Sequence, residues 1–251
     1  MTNNANNLYA TTLLKAFDVL DCFQNDETEL GISDIAETVN LPVSSVYRII
    51  QTLEFAGLIM QNKETKKYGM GSKILSYSKK CCHIKRLESI AAKHMLQLSK
   101  LTGETINLAA SFCDKIVNVY KIDSTSILRP NFSLNTPYSA CYTATGKIFL
   151  SEMSDASLKW VYQNNNLNMS LPEFLESLHT VRKNGYSFDN EEFCPGLRCV
   201  AAPLRDYGGR VPFAMSISAP VIRMGDDVLK RNRELVVEYA EKISEEFQSS
   251  K

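Results

Sequence analysis

The most constraining feature of the sequence is a helix-periodic stretch, residues 31–58, that a proline at position 42 divides in two. The first part predicts a short helix capped by Ser33. The second part predicts a longer helix with Pro42 in its first turn, where the N–H that proline lacks would be unpaired in any case, and with Gly57 at its end. Two short amphipathic helices around so tight a break are typical of a helix-turn-helix. The side chains expected to face inward are Ile35, Ala36, Val39, Val46, Ile49, Ile50 and Leu53.

A strand-turn-strand pattern follows the second helix directly. Residues 58–61 and 67–70 are typical of short strands, and a polar turn separates them. A helix is also predicted upstream, over residues 8–24, from apolar side chains at helical spacing: Leu13, Leu14, Phe17, Leu20 and Phe23. Helices followed by a hairpin give the order of a winged helix-turn-helix. We therefore expect residues 1–71 to form a DNA-binding domain that inserts the helix beginning near Pro42 into the major groove.

The charge distribution limits how such a domain could bind DNA. The net charge of the whole chain is zero, and residues 1–71 hold nine acidic against five basic side chains. Binding must therefore depend on a few well-placed groups rather than on a uniformly basic surface. The predicted DNA contacts are Ser44, Ser45, Tyr47, Arg48, Gln51 and Thr52 on the second helix and Lys63, Lys66 and Lys67 on the wing.

Arg48 is the central residue of that set. The N-terminal residues of a recognition helix face base edges or phosphates, and an arginine there either holds guanine through two hydrogen bonds or pairs with a phosphate. The serines and the helix N-terminus suit phosphate contacts, and the wing lysines would add salt-dependent affinity for the DNA backbone. The alternative for each residue is an ordinary solvent-exposed side chain of an amphipathic helix or turn.

The pattern changes after residue 71. Residues 72–101 predict a linker helix, whose seven basic side chains either approach DNA phosphates or are simply solvated. Strand-like and helical segments then mix without a strict βαβ alternation, which favours an α+β domain with a mainly antiparallel sheet over residues 102–251. The expected strands are residues 105–112, 115–122, 198–204 and 211–218, and the expected helices are residues 143–153, 155–164, 172–184 and 225–247.

Several other classes of protein are disfavoured. Seven irregularly spaced cysteines make a poor disulfide framework, no apolar run approaches a membrane span, and the N-terminus lacks the pattern of a signal peptide, so we expect a cytoplasmic protein with no membrane partner. The Gly146-Lys147 pair lacks the rest of a phosphate-binding loop, and the acidic run at residues 189–192 is typical of a solvated loop. We expect neither an enzyme nor a bound cofactor. The alternative function is a metal- or redox-responsive regulator that uses Cys81, Cys82, His83, Cys194 or Cys199.

Four sequence blocks, taken in order, resemble those of the IclR family of bacterial transcriptional regulators. They are GISDIAETVNLPVSSVYRIIQTLEFAGLI with KYGMG, LTGETINLA, TATGKIFLSEM, and GYSFDNEEFCPGLRCVAAPL with FAMSISAP. The resemblance implies an N-terminal winged helix-turn-helix, a linker helix and a C-terminal effector-binding domain of GAF-like topology. It further implies a homodimer or homotetramer that binds double-stranded operator DNA of a catabolic operon, most often as a repressor. A small carboxylic or sugar-derived acid would be the effector.

The resemblance also implies an effector pocket. The matching positions are Ala144, Thr145, Gly146, Asp189, Cys199, Ser216 and Ser218. The helix that starts within TATGK would present backbone N–H groups to an anion. Ser216 and Ser218 lie two residues apart in a predicted strand and so share a face, while Asp189, which would repel an anion, suits a ligand hydroxyl. Structural roles compete, since Cys199 could be a packed apolar residue and the serines could satisfy backbone groups.

Overall fold

The structure is a computed structural model with two compact units, Met1–Cys82 and His83–Lys251. It describes residues 10–24, 29–79, 82–112 and 114–249. Each unit has buried apolar residues of its own, one cluster in the first unit and two clusters in the second.

The first unit has the element order of a winged helix-turn-helix, as predicted. Its described elements are α1 (Thr11–Asp21), a 3-10 turn (Cys22–Gln24), α2 (Ile32–Thr38), α3 (Val43–Phe55), β1 (Ile59–Gln61), β2 (Tyr68–Met70) and α4 (Lys73–Lys79). The strands β1 and β2 pair antiparallel, with Met60 opposite Gly69. Both strands lie within one residue of their predicted bounds, because the alternating pattern and the polar turn are strong local signals.

The starts of α2 and α3 differ from the prediction. The Asp34 carboxylate accepts a hydrogen bond of 3.1 Å from the Gly31 N–H, and α2 begins directly after Gly31. The prediction that Ser33 caps this helix is therefore wrong, since Ser33 already lies inside it. Pro42 has a ψ of 138°, which is not helical, and it is the last residue before α3. It therefore precedes the first turn of the helix rather than lying within it as predicted.

The apolar side chains of α1 do not all face the core. Val19 is fully buried and Ala16 packs against the core cluster, whereas Leu13, Leu14 and Phe17 are each about half exposed. The three exposed side chains lie on the side of the helix away from Ala16 and Val19, because successive residues are about 100° apart. Helix α1 contacts α3, and an open cleft lies between the two helices.

The second unit has a six-stranded sheet with helices on both faces. Its elements are α5 (Cys82–Thr102), β3 (Thr105–Phe112), β4 (Lys115–Ile122), β5 (Pro137–Ser139), α6 (Ala144–Ser151), α7 (Asp155–Asn164), α8 (Leu171–Asn184), β6 (Ser187–Asn190), β7 (Leu197–Leu204), β8 (Phe213–Pro220) and α9 (Asp226–Ser249). The strand order is β5-β4-β3-β8-β7-β6, and every neighbouring pair is antiparallel. This confirms the predicted α+β class and the mainly antiparallel sheet.

The two faces of the sheet carry different side chains. On β8, Phe213, Met215 and Ile217 pack in the core formed with α5 and α9. Ser216 and Ser218 alternate with them and so point to the opposite face, where α6, α7 and α8 lie. The strand is buried along its whole length, so these serines are polar groups inside the protein rather than on its surface.

Two short edge strands, β5 and β6, have no counterpart in the sequence prediction. Strand β6 pairs with β7, with Asp189 opposite Cys199, and Asp189 is only 1% exposed. The expectation of a solvated acidic loop is therefore wrong for Asp189. Strands of three or four residues with polar side chains give too weak a periodic signal to be recognised.

The predicted linker helix corresponds to α4 and α5. Residues 80 and 81 lie outside the described residues, as do the side chains of Cys82 and His83. The side chains of Leu87, Met95 and Leu98 on α5 are buried in the core of the second unit. No helix in the described ranges is long and apolar enough to cross a membrane.

Candidate functional site

The exposed face of α3 carries the six residues predicted to contact DNA from that helix. Ser44, Tyr47, Arg48, Gln51 and Thr52 are exposed, and Ser45 is half-buried. At about 100° per residue, Ser44 and Arg48 lie along the middle of this face. Gln51 lies toward the hairpin, and Thr52 lies toward α1.

The hairpin side of α3 is held by a carboxylate. The Gln51 amide donates a hydrogen bond of 3.3 Å to Glu54, which also accepts one of 3.3 Å from the Gln61 backbone N–H in β1. Glu54 thus ties the recognition helix to the first strand of the wing. One N–H of the Gln51 amide is therefore engaged within the protein.

The turn of the wing is held by Glu29, which precedes α2. Its carboxylate accepts hydrogen bonds of 2.7 Å from the Asn62 amide and 2.8 Å from the Thr65 hydroxyl. These hydrogen bonds hold the pKa of Glu29 below its ordinary value. The predicted wing cations Lys63, Lys66 and Lys67 are all exposed around this turn. The sequence analysis did not identify Glu29, because its hydrogen-bond partners are distant in sequence and no local pattern indicates such a contact.

A small polar cavity lies in the second unit, between the sheet and the start of α6. Across neighbouring strands, Asp189 lies opposite Cys199 and Cys199 opposite Ser218. On the next pair of strands, Asn107 lies opposite Ser216. Side chains from four strands therefore form one polar row on this face of the sheet.

Six of the seven predicted effector residues line this cavity. They are Ala144, Thr145, Asp189, Cys199, Ser216 and Ser218. The lining residues that sequence reasoning missed are Asn107, Ile116, Asn118, Phe132, Tyr138, Thr143 and Phe193. The two asparagines could have been found, because an amide at an inward position of an apolar strand is a buried polar group that requires an explanation.

Gly146 is the one predicted effector residue that does not line this cavity. Its N–H donates to the Thr143 hydroxyl at 3.2 Å, which caps α6. A Cβ added at Gly146 would lie 2.3 Å from both the Cα and the carbonyl oxygen of Ala140. The structure thus shows Gly146 at a close approach of two backbone segments, outside the cavity lining.

The Asp189 carboxylate is only partly satisfied. One oxygen accepts hydrogen bonds from the backbone N–H groups of Glu192, at 2.9 Å, and Phe193, at 3.2 Å. The other oxygen, Oδ2, is buried and has no hydrogen-bond partner within the described parts of the chain. Burial raises the pKa of the Asp189 carboxyl, and the two N–H donors offset part of that effect.

The Asn107 side chain is also only partly satisfied in its hydrogen bonds. Its side-chain N–H₂ donates to Ser218 at 3.2 Å and to Ser216 at 3.5 Å. Its carbonyl oxygen, Oδ1, is buried without a hydrogen-bond partner among the described residues. Two acceptor atoms, one from Asn107 and one from Asp189, are therefore unsatisfied in side chains that line the same cavity.

Three aromatic side chains lie at one side of the cavity. The rings of Phe132, Tyr138 and Phe193 contact one another with centroid separations of 5.7–6.0 Å. The same rings line an apolar groove of about 650 Å³ on their other side. The polar cavity itself measures about 20 Å³, which is room for one water molecule. An organic ligand would have to displace these rings.

The cysteines give limited support to the metal or redox alternative. Cys81 lies outside the described residues. Cys194 is exposed, whereas Cys199 is buried, and burial raises the pKa of its thiol. A thiol held protonated in this way is a poor nucleophile and metal ligand. Among the described residues, no three His, Cys, Asp or Glu side chains are placed to hold a metal ion.

Comparison with known proteins places both units in one family. The family model described as the bacterial transcriptional regulator IclR C-terminal domain matches residues 80–245. The model of the IclR helix-turn-helix domain matches residues 12–63. Together the two matches cover most of the chain.

Individual relatives match over nearly their whole length. The chain is 32% identical to the transcriptional regulator KdgR of Escherichia coli over 93% of its own length and 91% of that protein. It is 27% identical to the transcriptional repressor AllR of Salmonella paratyphi A, over 94% and 89% of the two chains. A solved IclR-type regulator from a Silicibacter species superposes with a TM-score of 0.78, at 19% identity over 94% and 96% of the chains, and supports the fold.

Proposed function

The chain belongs to the IclR family of bacterial transcriptional regulators, and from this premise we propose that it is a cytoplasmic repressor of a catabolic operon, controlled by a small hydroxy acid. It is a DNA-binding regulator, and we propose that it acts by binding alone, without catalysis or a bound cofactor. The name of the AllR relative as a repressor supports the sign of regulation.

The first unit would bind the operator through α3 and the wing. Arg48 and Ser44, along the middle of the exposed face of α3, would meet base edges and phosphates in the major groove. Because residues 1–71 carry only five basic side chains, one copy offers few phosphate contacts. We therefore propose a homodimer or homotetramer on a palindromic operator, since each added copy repeats this small set of contacts.

The effector would bind in the polar cavity of the second unit. The observation that carries this proposal is the pair of unsatisfied buried acceptors, Asp189 Oδ2 and Asn107 Oδ1. Each costs about 1–3 kcal/mol while unpaired, and a ligand that brings two hydroxyl donors would offset both costs. The family's sequence resemblance and the clustering of six predicted residues support the same location.

The cavity also limits the rest of the ligand. None of its described lining residues is Lys or Arg, so a ligand carboxylate would be received by other donors. The backbone N–H groups of Ala144 and Thr145 lie in the first turn of α6, where helices leave such donors unpaired and favour negative charge. With the rings of Phe132, Tyr138 and Phe193 displaced, a small acid with adjacent hydroxyls, as in a sugar acid, would meet hydrogen-bond acceptors on the sheet and N–H donors at the start of α6.

Effector binding should depend on the free oxygen of Asp189. In an Asp189→Asn variant, the side-chain oxygen can keep the hydrogen bonds from Glu192 and Phe193, while an N–H₂ donor replaces the acceptor in the cavity. We expect D-gluconate, or whichever of D-gluconate, pyruvate and benzoate most raises the melting temperature of the wild type, to bind this variant at least about tenfold more weakly.

The measurement is the thermal shift as a function of ligand concentration. Asp227→Asn, the same substitution at an exposed carboxyl in the first turn of α9, is the matched control and should respond like the wild type. A wild-type response in Asp189→Asn would remove Asp189 from the effector site. If none of the three acids stabilised the wild type, the proposed class of effector would be wrong.

A further inference from the structure

Among residues 1–71, one cation belongs to neither the recognition helix nor the wing. Of the five basic residues in positions 1–71, three lie on the wing and one is Arg48. The fifth is Lys15, on α1. In a domain with an excess of acidic side chains, every cation matters for binding a polyanion such as DNA.

Lys15 lines the same cleft as Arg48. The cleft lies between α1 and α3 and has a volume of about 320 Å³. The residues that line it are Thr12, Lys15, Ala16, Ser45, Arg48, Ile49, Thr52 and Leu53. The floor is apolar, two cations and three hydroxyls line the cleft, and no carboxylate is among these residues. Among the described residues of this part of the chain, the acidic side chains therefore lie outside the cleft lining.

The polar groups of the cleft are largely free to bind a ligand. Within the described part of the chain, neither Lys15 nor Arg48 forms an ion pair. Thr52 is different, because its hydroxyl donates to the Arg48 carbonyl oxygen at 2.8 Å. The hydroxyls of Thr12 and Ser45 are therefore the donors available beside the two charges.

Two unpaired cations in one cleft repel each other, and an anion between them removes that repulsion. We infer that the cleft between α1 and α3 binds a backbone phosphate of DNA, with Lys15 as the charge partner and Thr12 and Ser45 as hydroxyl donors. This inference rests on the proposed binding of α3 in the major groove. A phosphate contact carries no base information, so its role is to set the position of Arg48 against the bases.

The inference predicts a change in the salt dependence of binding rather than in sequence preference. A DNA duplex selected by the wild-type protein from a random pool, and a scrambled duplex of the same composition, would be titrated by fluorescence anisotropy at several salt concentrations. For Lys15→Ala, the slope of log affinity against log salt should be less steep by about one for each bound copy of the chain. Affinity should fall on the order of fivefold for each bound copy at 0.15 M salt, equally on both duplexes.

Two variants complete the test. Lys15→Arg keeps the charge and should restore the wild-type slope. Lys159→Ala removes another exposed lysine, on α7, and should leave the slope unchanged. A thermal melt of each variant confirms that it is folded.

The outcomes separate this inference from the proposed function. If Lys15→Ala kept wild-type affinity and slope while Arg48→Ala lost affinity, the phosphate site would be wrong and the proposed function would stand. A loss confined to the selected duplex would also overturn the phosphate site, since it would indicate base contact. If the wild type selected no duplex at all, the proposed operator binding itself would fail.

Discussion

Replacing Arg48 by alanine is expected to weaken operator binding by about 1–3 kcal/mol, roughly 5- to 150-fold, and to relax base preference at one position of each half-site. Arg48 is exposed in the middle of the outward face of α3, one turn after Ser44. Among the described residues it forms no ion pair, so its guanidinium is available to a DNA partner. Fluorescence anisotropy with the selected duplex and its single-base variants would measure both effects.

Arg48→Lys distinguishes the two roles open to this residue. Lysine keeps a phosphate contact but cannot form the paired hydrogen bonds of a guanidinium with guanine. We expect this variant to bind the selected duplex nearly as weakly as Arg48→Ala. Arg231→Ala, at an exposed position of α9, is the control and should bind like the wild type. Unchanged affinity and base preference in Arg48→Ala would exclude Arg48 from the interface.

Replacing Gly146 by alanine is expected to destabilise the second unit by about 3 kcal/mol, at the upper end of the usual cost of overpacking. The added Cβ would lie 2.3 Å from the Cα and the carbonyl oxygen of Ala140, and 2.6 Å from its carbonyl carbon. These are backbone atoms, so no flexible side chain can move to relieve the clash. The higher helix propensity of alanine recovers only about 1 kcal/mol.

Chemical denaturation, with the free energy of unfolding extrapolated to water, is the measurement for Gly146→Ala. Gly225→Ala is the matched control, because nothing lies within 4 Å of an added Cβ there and its φ lies outside the left-handed region. We expect the control to change stability by less than about 1 kcal/mol. Equal stability in Gly146→Ala and the wild type would mean that α6 and Ala140 can separate without cost.

The structure of the DNA-binding unit was the part of the fold that the sequence predicted best. The apolar spacing of α3, the proline before it and the polar turn of the hairpin are all local signals, and the elements lie close to their predicted positions. The start of α2 was predicted wrongly because serine is a common capping residue, whereas the helix begins directly after Gly31 and the Asp34 side chain accepts the hydrogen bond from the Gly31 N–H.

The structure of the second unit was harder to predict from sequence, for a physical reason. Its short edge strands carry polar residues, and their pairing depends on long-range contacts that no local pattern encodes. The Asp189 position illustrates this, because its acidic neighbours indicate a solvated loop while strand pairing buries the residue beside Cys199. The aromatic residues at the cavity, Phe132 and Phe193, lie in irregular segments and gave no signal at all.

The sequence by itself determined the helix beginning near Pro42, the order of the DNA-binding elements and the resemblance to a family of regulators, because each depends on the spacing of residues along the chain. Tertiary structure alone decided which polar groups meet. It placed Asn107 beside Ser216 and Ser218, and it set Lys15 on the same cleft as Arg48. These arrangements depend on strand register and on helix packing between distant segments, so they are properties of the fold rather than of any local stretch of sequence.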